Sequence, residues 1–332
     1  MAGLTAARAG TTFQHHASIY GSDDEFLDTA LPFVQDGLGQ GDPVLVATTA
    51  ANLDLLSNAL GAAADRVDYA ESAYFGRRPA QRVTAFGRYW KRHAASGADG
   101  HVRILAEPIW AGRPDREVTE WRRMESGLND VLACTNIWMI CPYDARTVNE
   151  DILTEARRTH PGCVSGRRIQ ASPEYVEPGV YARGCDSAPL PEPPPDAARM
   201  DFGRELAGLR RFVAHQAAEH GLTGHRISLL VAAVNEVASH VVELGCGHGT
   251  VRIWARRRSI VCDVREPAGS ITDPFLGYRL PTLDVKPGDR FWLARQVCEF
   301  VEIRSGEQGS TIRLHVPGPP GEELQAGAGR PA

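Results

Sequence analysis

Phe33-Val-Gln-Asp-Gly-Leu-Gly-Gln-Gly-Asp-Pro-Val-Leu-Val46 closes one element and starts the next. Its first half continues a helix opened at Ser22-Asp-Asp-Glu25, which has capping-box spacing, and Gly39 and Gly41 end that helix. Pro43 to Thr49 then reads as a buried strand, because an apolar run this short, bounded by a turn signal, fits a strand covered on both faces. The same alternation repeats outward. Asn52 to Leu60 predicts a helix, Arg66 to Tyr69 a short strand, Ala80 to Ala95 a helix and His101 to Ala106 a strand. Asp115 to Ala133 predicts a long helix and Asn136 to Cys141 another strand. A βαβα order implies an α/β fold: a largely parallel sheet covered by helices, three layers in all, with ligands beyond the carboxyl ends of the strands.

Ala188-Pro-Leu-Pro-Glu-Pro-Pro-Pro-Asp196 interrupts this pattern, since proline removes amide donors and holds the chain extended. The reading is a first domain over residues 13–165, a proline-rich linker over 186–199 and a second domain over 200–317. Residues 1–12 and 318–332, small, polar or rich in Gly and Pro, are expected to be disordered. In the second domain two helices, Met200 to His220 and His225 to Leu244, precede paired strands at Thr250 to Arg256 and Ser259 to Arg265. A helix from Asp289 to Glu299 and strands Val301 to Arg304 and Ser310 to Val316 follow. Helices on one face of a mixed sheet give an α/β two-layer sandwich.

The 332 residues suit two domains, and the formal charge of −5, without a basic block, argues against nucleic acid as a partner. Seven Cys without a CxxC pair argue against a disulfide framework or a structural zinc signature. With no signal-peptide core or membrane-length apolar run, the expected setting is the cytoplasm, away from membranes.

Several clusters of residues in the first domain resemble the MEDS domain, a methanogen/methylotroph sensory module. They are His16-Ala-Ser-Ile-Tyr20, Phe33 to Val46, Arg103 with Glu107 and Trp110, Trp121 to Asn129, Cys141-Pro-Tyr-Asp144 and Thr159-His-Pro161. The resemblance implies sensing of an unidentified small organic molecule. His16, Tyr20, Glu107, Trp110, Trp121, Glu125, Cys141, Tyr143, Asp144 and His160 are the candidate ligand-sensing residues. From chemistry alone, His16, Glu107, Glu125, Cys141, Asp144 and His160 suit a metal site, or a Cys/His nucleophile and base, at one end of the sheet. The plainer reading makes Cys141 a buried small hydrophobe and His160-Pro161 a helix stop.

The second domain, from Phe202 to Val316, resembles the anti-sigma-factor Ser/Thr kinase branch of the GHKL ATPases, with their Bergerat-type sandwich. Ile271-Thr-Asp-Pro274 and Trp292-Leu-Ala-Arg-Gln-Val-Cys-Glu299 carry the wording, and the order of pieces matches. The resemblance implies ATP and Mg²⁺ as cofactors. The residues at the nucleotide-binding positions are Glu236, His240, Glu266, Gly269, Gly288, Arg290 and Thr311, with Glu236 as the catalytic base of an active kinase. Three boxes depart from the family. His240 stands at the Mg²⁺-binding Asn position, where oxygen is the better donor. Glu266 replaces the adenine-reading Asp, and Arg290 brings a Cβ where backbone must approach phosphate. These changes predict weakened or lost phosphotransfer.

The combined expectation is a regulator that senses through its first domain and controls a sigma factor, or its STAS-type antagonist, through a degenerate ATPase-like domain; a homodimer is compatible with it. The alternatives are an active Ser/Thr kinase that phosphorylates the antagonist, and a Cys-dependent enzyme in the first domain. A sensor histidine kinase fits less well, because His215 and His220 lie in an ordinary amphipathic segment.

Overall fold

The computed structural model describes residues 13–95, 100–256, 259–281 and 289–318. Residues 1–12, most of the expected C-terminal tail and Gly288 lie outside the described residues. The chain forms two compact units, Met1–Cys185 and Asp186–Ala332.

The first unit is built on β1 (Gln14–Tyr20), β2 (Val44–Thr48), β3 (Asp68–Glu71), β4 (Val102–Ala106), β5 (Ile137–Asp144), β6 (Gly162–Ser165) and β7 (Arg168–Ala171). They form one sheet in the order β3-β2-β4-β5-β1-β6-β7, parallel throughout except for the β6–β7 hairpin. Its helices are α1 (Asp23–Gln40), α2 (Ala50–Leu60), α3 (Pro79–His93), α4 (Asp115–Val131), α5 (Glu150–Thr159) and α6 (Pro178–Cys185). From β1 the chain steps towards one edge of the sheet through β2 and β3, then returns through β4 and β5. Right-handed crossovers therefore put α1 and α2 on one face and α3, α4 and α5 on the other. Accordingly α1 packs on α2, and α4 packs on α3, α5 and α6.

The Phe33–Val46 stretch folds as its residues require. Ser22 Oγ accepts from the Glu25 amide, and Gly41, at φ 77°, caps α1 in the left-handed region. Arg103, almost wholly buried, locks the stretch to β4: its Nε donates to Asp42 Oδ2 at 3.0 Å and its Nη1 to the Phe33 carbonyl at 3.0 Å. The guanidinium lies 4.6 Å from the Trp138 ring centre. Gly37 leaves room for this side chain, since a Cβ there would come within 2.6 Å of Arg103 Cδ.

Sequence patterning misses β1, the strand between β5 and β6, because His15, His16 and Ser18 break its apolar run. It also misses α6, β6 and β7, and of α5 it reads only the stop at His160-Pro161.

In the second unit β8 (Ala198–Phe202), β9 (Gly249–Arg256), β10 (Ser259–Glu266), β11 (Phe300–Gly306) and β12 (Gly309–Pro317) form a sheet in the order β11-β12-β10-β9-β8. Every neighbouring pair is antiparallel, so the sheet is not mixed as expected. Met200 to Phe202 does not start a helix; it extends the sheet edge beside β9, and the helix α7 runs only over Ala207–Glu219. The strand also takes the last residues of the expected linker. Helix α8 (His225–Leu244) packs on α7 and on α9 (Asp289–Val297), and its Leu230, Val234, Val237 and Val241 join Val251, Ile253, Cys262, Val264, Ile312 and Leu314 in the core. Among the described residues α8 is the one helix long and apolar enough to cross a membrane, and that apolar face is spent on this core.

Candidate functional site

Alternation along β1 sorts the sensing candidates. Side chains of a strand point to opposite faces in turn, so His15, Ala17 and Ile19 share a face with Met139, Cys141 and Tyr143, their partners in the β1–β5 register. That face meets α4 and α5. His16, Ser18 and Tyr20 take the other face, towards α1, with Trp138 and Ile140. The expected constellation at one end of the sheet is therefore split. His16 does not join Cys141: its Nδ1 accepts from Trp138 Nε1 at 3.1 Å, and burial lowers its pKa to about 4.

At the carboxyl ends of β1, β2 and β4, on the α1–α2 face, one polar cluster forms. Glu107 is buried and accepts from Tyr20 Oη at 2.8 Å, from Asn52 Nδ2 at 3.0 Å and from Thr48 Oγ1. Asn52 Nδ2 also reaches Tyr20 Oη at 2.9 Å. Burial first, and Glu107 second, push the Tyr20 phenol well above its ordinary range, so it stays a donor. Arg82, buried in α3, holds the backbone here by donating to the Glu107 carbonyl at 2.9 Å and to Ser72 Oγ at 3.1 Å.

On the opposite face Glu125, Cys141 and His160 come together with His15, which sequence reasoning missed. The rings of His15 and His160 are 3.9 Å apart, and His15 Nε2 is 3.3 Å from Cys141 Sγ. All four are buried. Burial raises the Glu125 pKa to about 7 and lowers that of His160 to about 3. Burial also drives the His15 pKa well down, with His160 adding to it, and pushes the Cys141 thiol well up, with Glu125 adding to it. The signal that could have found His15 was its parity with Cys141, which is legible only once β1 is recognised.

The remaining candidates surround this cluster. Tyr143 meets His160 edge-on at 5.8 Å and stacks with Trp110 at 6.2 Å. Trp121 is buried beneath the Arg113 guanidinium at 4.1 Å. Asp144 ends β5; burial alone would raise its pKa, but bonds from Arg146 outweigh that and hold it below the usual carboxylate range. Beyond the carboxyl ends of β4 and β5 the surface opens into a cleft lined by Trp110, Arg113, Arg122, Val148, Asn149 and Ile152. The N-termini of α4 and α5 border it.

Residues 14–161 match the MEDS family model, the MEthanogen/methylotroph, DcmR Sensory domain. No curated protein matches the chain. The MEDS match takes in both polar clusters and the cleft, and it stops short of the second unit. The likeness is to a sensory domain, and it points to a signalling role for this region.

In the second unit the residues expected at nucleotide-binding positions divide. Arg290 of α9 donates from Nη1 to Glu236 Oε2 at 3.3 Å and from Nη2 to Glu243 at 2.9 and 3.0 Å. A guanidinium thus occupies the face of α8 where the resemblance placed a metal. His240, four residues on from Glu236, packs edge-on against Phe291 at 4.9 Å, and among the described residues its buried Nδ1 has no hydrogen-bond partner. Burial, then Arg290, lowers its pKa. Glu266 is fully buried and accepts from the amides of Ala268 at 2.8 Å and Ser270 at 3.0 Å, so its carboxyl caps its own turn. Gly269 in that turn, at φ 67°, passes so close to Gly306 that a Cβ would meet its carbonyl oxygen at 2.7 Å. Thr311 lies away from this group. Ile312 and Leu314 face the helices, so Thr311 and Arg313 face the other side of the sheet, where the proline-rich Asp186–Pro193 segment lies. There Arg304 Nε donates to the Ala188 carbonyl at 2.9 Å and its Nη1 pairs with Asp186 at 2.5 Å.

Proposed function

We propose that the protein is a cytoplasmic signalling regulator whose MEDS unit binds a small organic molecule. Its second unit, an anti-sigma-type GHKL-like domain, binds a sigma factor or its STAS-type antagonist. The observation that carries the reading is the cleft beyond β4 and β5, inside the matched residues and beside the Trp110–Tyr143 stack. Ligands of open α/β sheets bind in that position. Signalling then requires that the ligand prefer one state of the protein over another.

For the second unit the Arg290–Glu236 pair supports regulation by surface contact over phosphotransfer. The guanidinium of Arg290 stands 3.3 Å from Glu236, so a cation already lies where Mg²⁺ would be held. ATP and Mg²⁺ are therefore assigned no step. The test is a pulldown of candidate sigma factors and STAS-type antagonists on the full chain, repeated with Mg·ATP in calorimetry. Capture of neither protein class overturns the partner assignment. Micromolar Mg·ATP binding that Glu236→Ala abolishes, with phosphate appearing on the antagonist, replaces it by the kinase reading.

A further inference from the structure

His15, Glu125, Cys141 and His160 reach one point in the MEDS unit from β1, α4, β5 and the end of α5, and each offers a ligand atom within 4.8 Å of the other three. The hydrogen bonds around them fix the proton positions. Asn129 donates its Nδ2 to the carbonyls of Ser126 at 3.1 Å and Thr159 at 2.8 Å, which turns its Oδ1 to His15 Nδ1 at 3.1 Å. His15 therefore carries its proton on Nδ1. His160 Nδ1 donates to the Ala156 carbonyl at 2.8 Å, so it too is protonated there. Both Nε2 atoms consequently turn lone pairs inward, towards a carboxyl group. Glu125 Oε2 and His160 Nε2 are buried with no hydrogen-bond partner among the described residues. Acceptors facing one another in a dry interior repel, and an unmet buried acceptor is costly.

The distances suggest what relieves this. Glu125 Oε2 is 3.7 Å from His15 Nε2 and 3.6 Å from His160 Nε2, too long for hydrogen bonds. With bonds of about 2.0–2.3 Å to a tetrahedral zinc ion, neighbouring ligand atoms stand roughly 3.3–3.7 Å apart. The spacing of His15 Nε2 from Cys141 Sγ, 3.3 Å, falls in the same range. We propose that His15, Glu125, Cys141 and His160 bind one divalent first-row transition-metal ion, with zinc preferred. Two imidazoles, a thiolate and a carboxylate form a borderline-soft set that suits zinc over Mg²⁺ or Ca²⁺. Asn129 and the Ala156 carbonyl are the outer partners that fix the two imidazole tautomers, as around other histidine-bound metals. The ion makes Cys141 a thiolate despite its burial, and binding releases protons. Because its ligands come from both the central strands and the helices above them, the ion staples β1 and β5 to α4 and α5. The site is separate from the cleft and does not depend on the partner reading.

The experiment uses the full chain, expressed with zinc, dialysed, and analysed for metal; a second sample is stripped with a chelator and titrated with Co²⁺. One zinc per chain is expected, with a thiolate-to-cobalt charge-transfer band that Cys141→Ser removes. Asn129→Ala is expected to weaken the metal by about 10–100-fold while keeping the band. X-ray absorption on the zinc protein provides a measurement on the unmutated chain, with one sulfur and three nitrogen or oxygen neighbours expected. A folded wild-type chain that takes up neither zinc nor Co²⁺ overturns the site. So does a cobalt band surviving in Cys141→Ser, or a zinc shell with no sulfur or with several.

Discussion

Replacing Arg103 by Met keeps an unbranched apolar stem in the space beside Trp138 but removes the guanidinium that holds Asp42 and the Phe33 carbonyl. Asp42 is only 5 % exposed, and its Oδ1 already has no hydrogen-bond partner among the described residues. Without Arg103 the Asp42 carboxyl is buried with its ion-pair partner gone. Breaking such a pair from one side costs about 3–5 kcal/mol, because the surviving group keeps its desolvation penalty. For a unit of this size each kcal/mol moves the melting temperature by about 2–4 °C, so a fall of roughly 6–20 °C is expected. Tryptophan fluorescence during urea or thermal unfolding reads it, since Trp90, Trp110, Trp121 and Trp138 lie in the first unit and only Trp254 and Trp292 in the second. The double variant Arg103→Met with Asp42→Leu removes both partners and is expected to regain most of the loss. If Arg103→Met shifts stability by less than about 1 kcal/mol, or if the double variant is as unstable as the single, the pair is not what locks α1 to β4.

Gly37→Ala tests the same lock sterically: its Cβ would press on Arg103 Cδ, and a loss of about 1–3 kcal/mol in urea unfolding is expected. Glu107→Gln puts a donor among the donors of Tyr20, Thr48 and Asn52, and should cost about 1.5–3 kcal/mol by the same assay. Arg290→Ala breaks a partly exposed pair and should change stability by no more than about 1 kcal/mol, read by urea unfolding. His240 has a folded pKa below its unfolded value of 6.5, so the unfolded chain takes up the proton first. Its contribution is present above pH 6.5 and is lost as pH falls through the folded pKa. Acid unfolding of the second unit should therefore flatten in His240→Phe, which keeps the contact with Phe291.

The alternation of apolar runs and capped helices from Ser22 to Cys141 was enough to show a parallel α/β unit, because burial on both faces leaves an unbroken apolar strand and each helix carries its own stop signals. The MEDS wording was legible for the same stretch. What the sequence could not show was β1 as a central strand, because its buried polar residues imitate a loop when their partners are more than a hundred residues away. With β1 unread, the parity that separates His16 from His15 was hidden, and so was the meeting of His15 with Glu125, Cys141 and His160. In the second unit the sequence resemblance singled out His240, Glu266 and Arg290 as residues that differ from the GHKL pattern. Only tertiary packing decided their consequences: Glu266 closes on its own turn, Arg290 crosses from α9 to neutralise Glu236, and Thr311 faces the other side of the sheet. Helix and strand formation is written in local periodicity, whereas which side chains meet depends on strand order and facing, which no local stretch encodes.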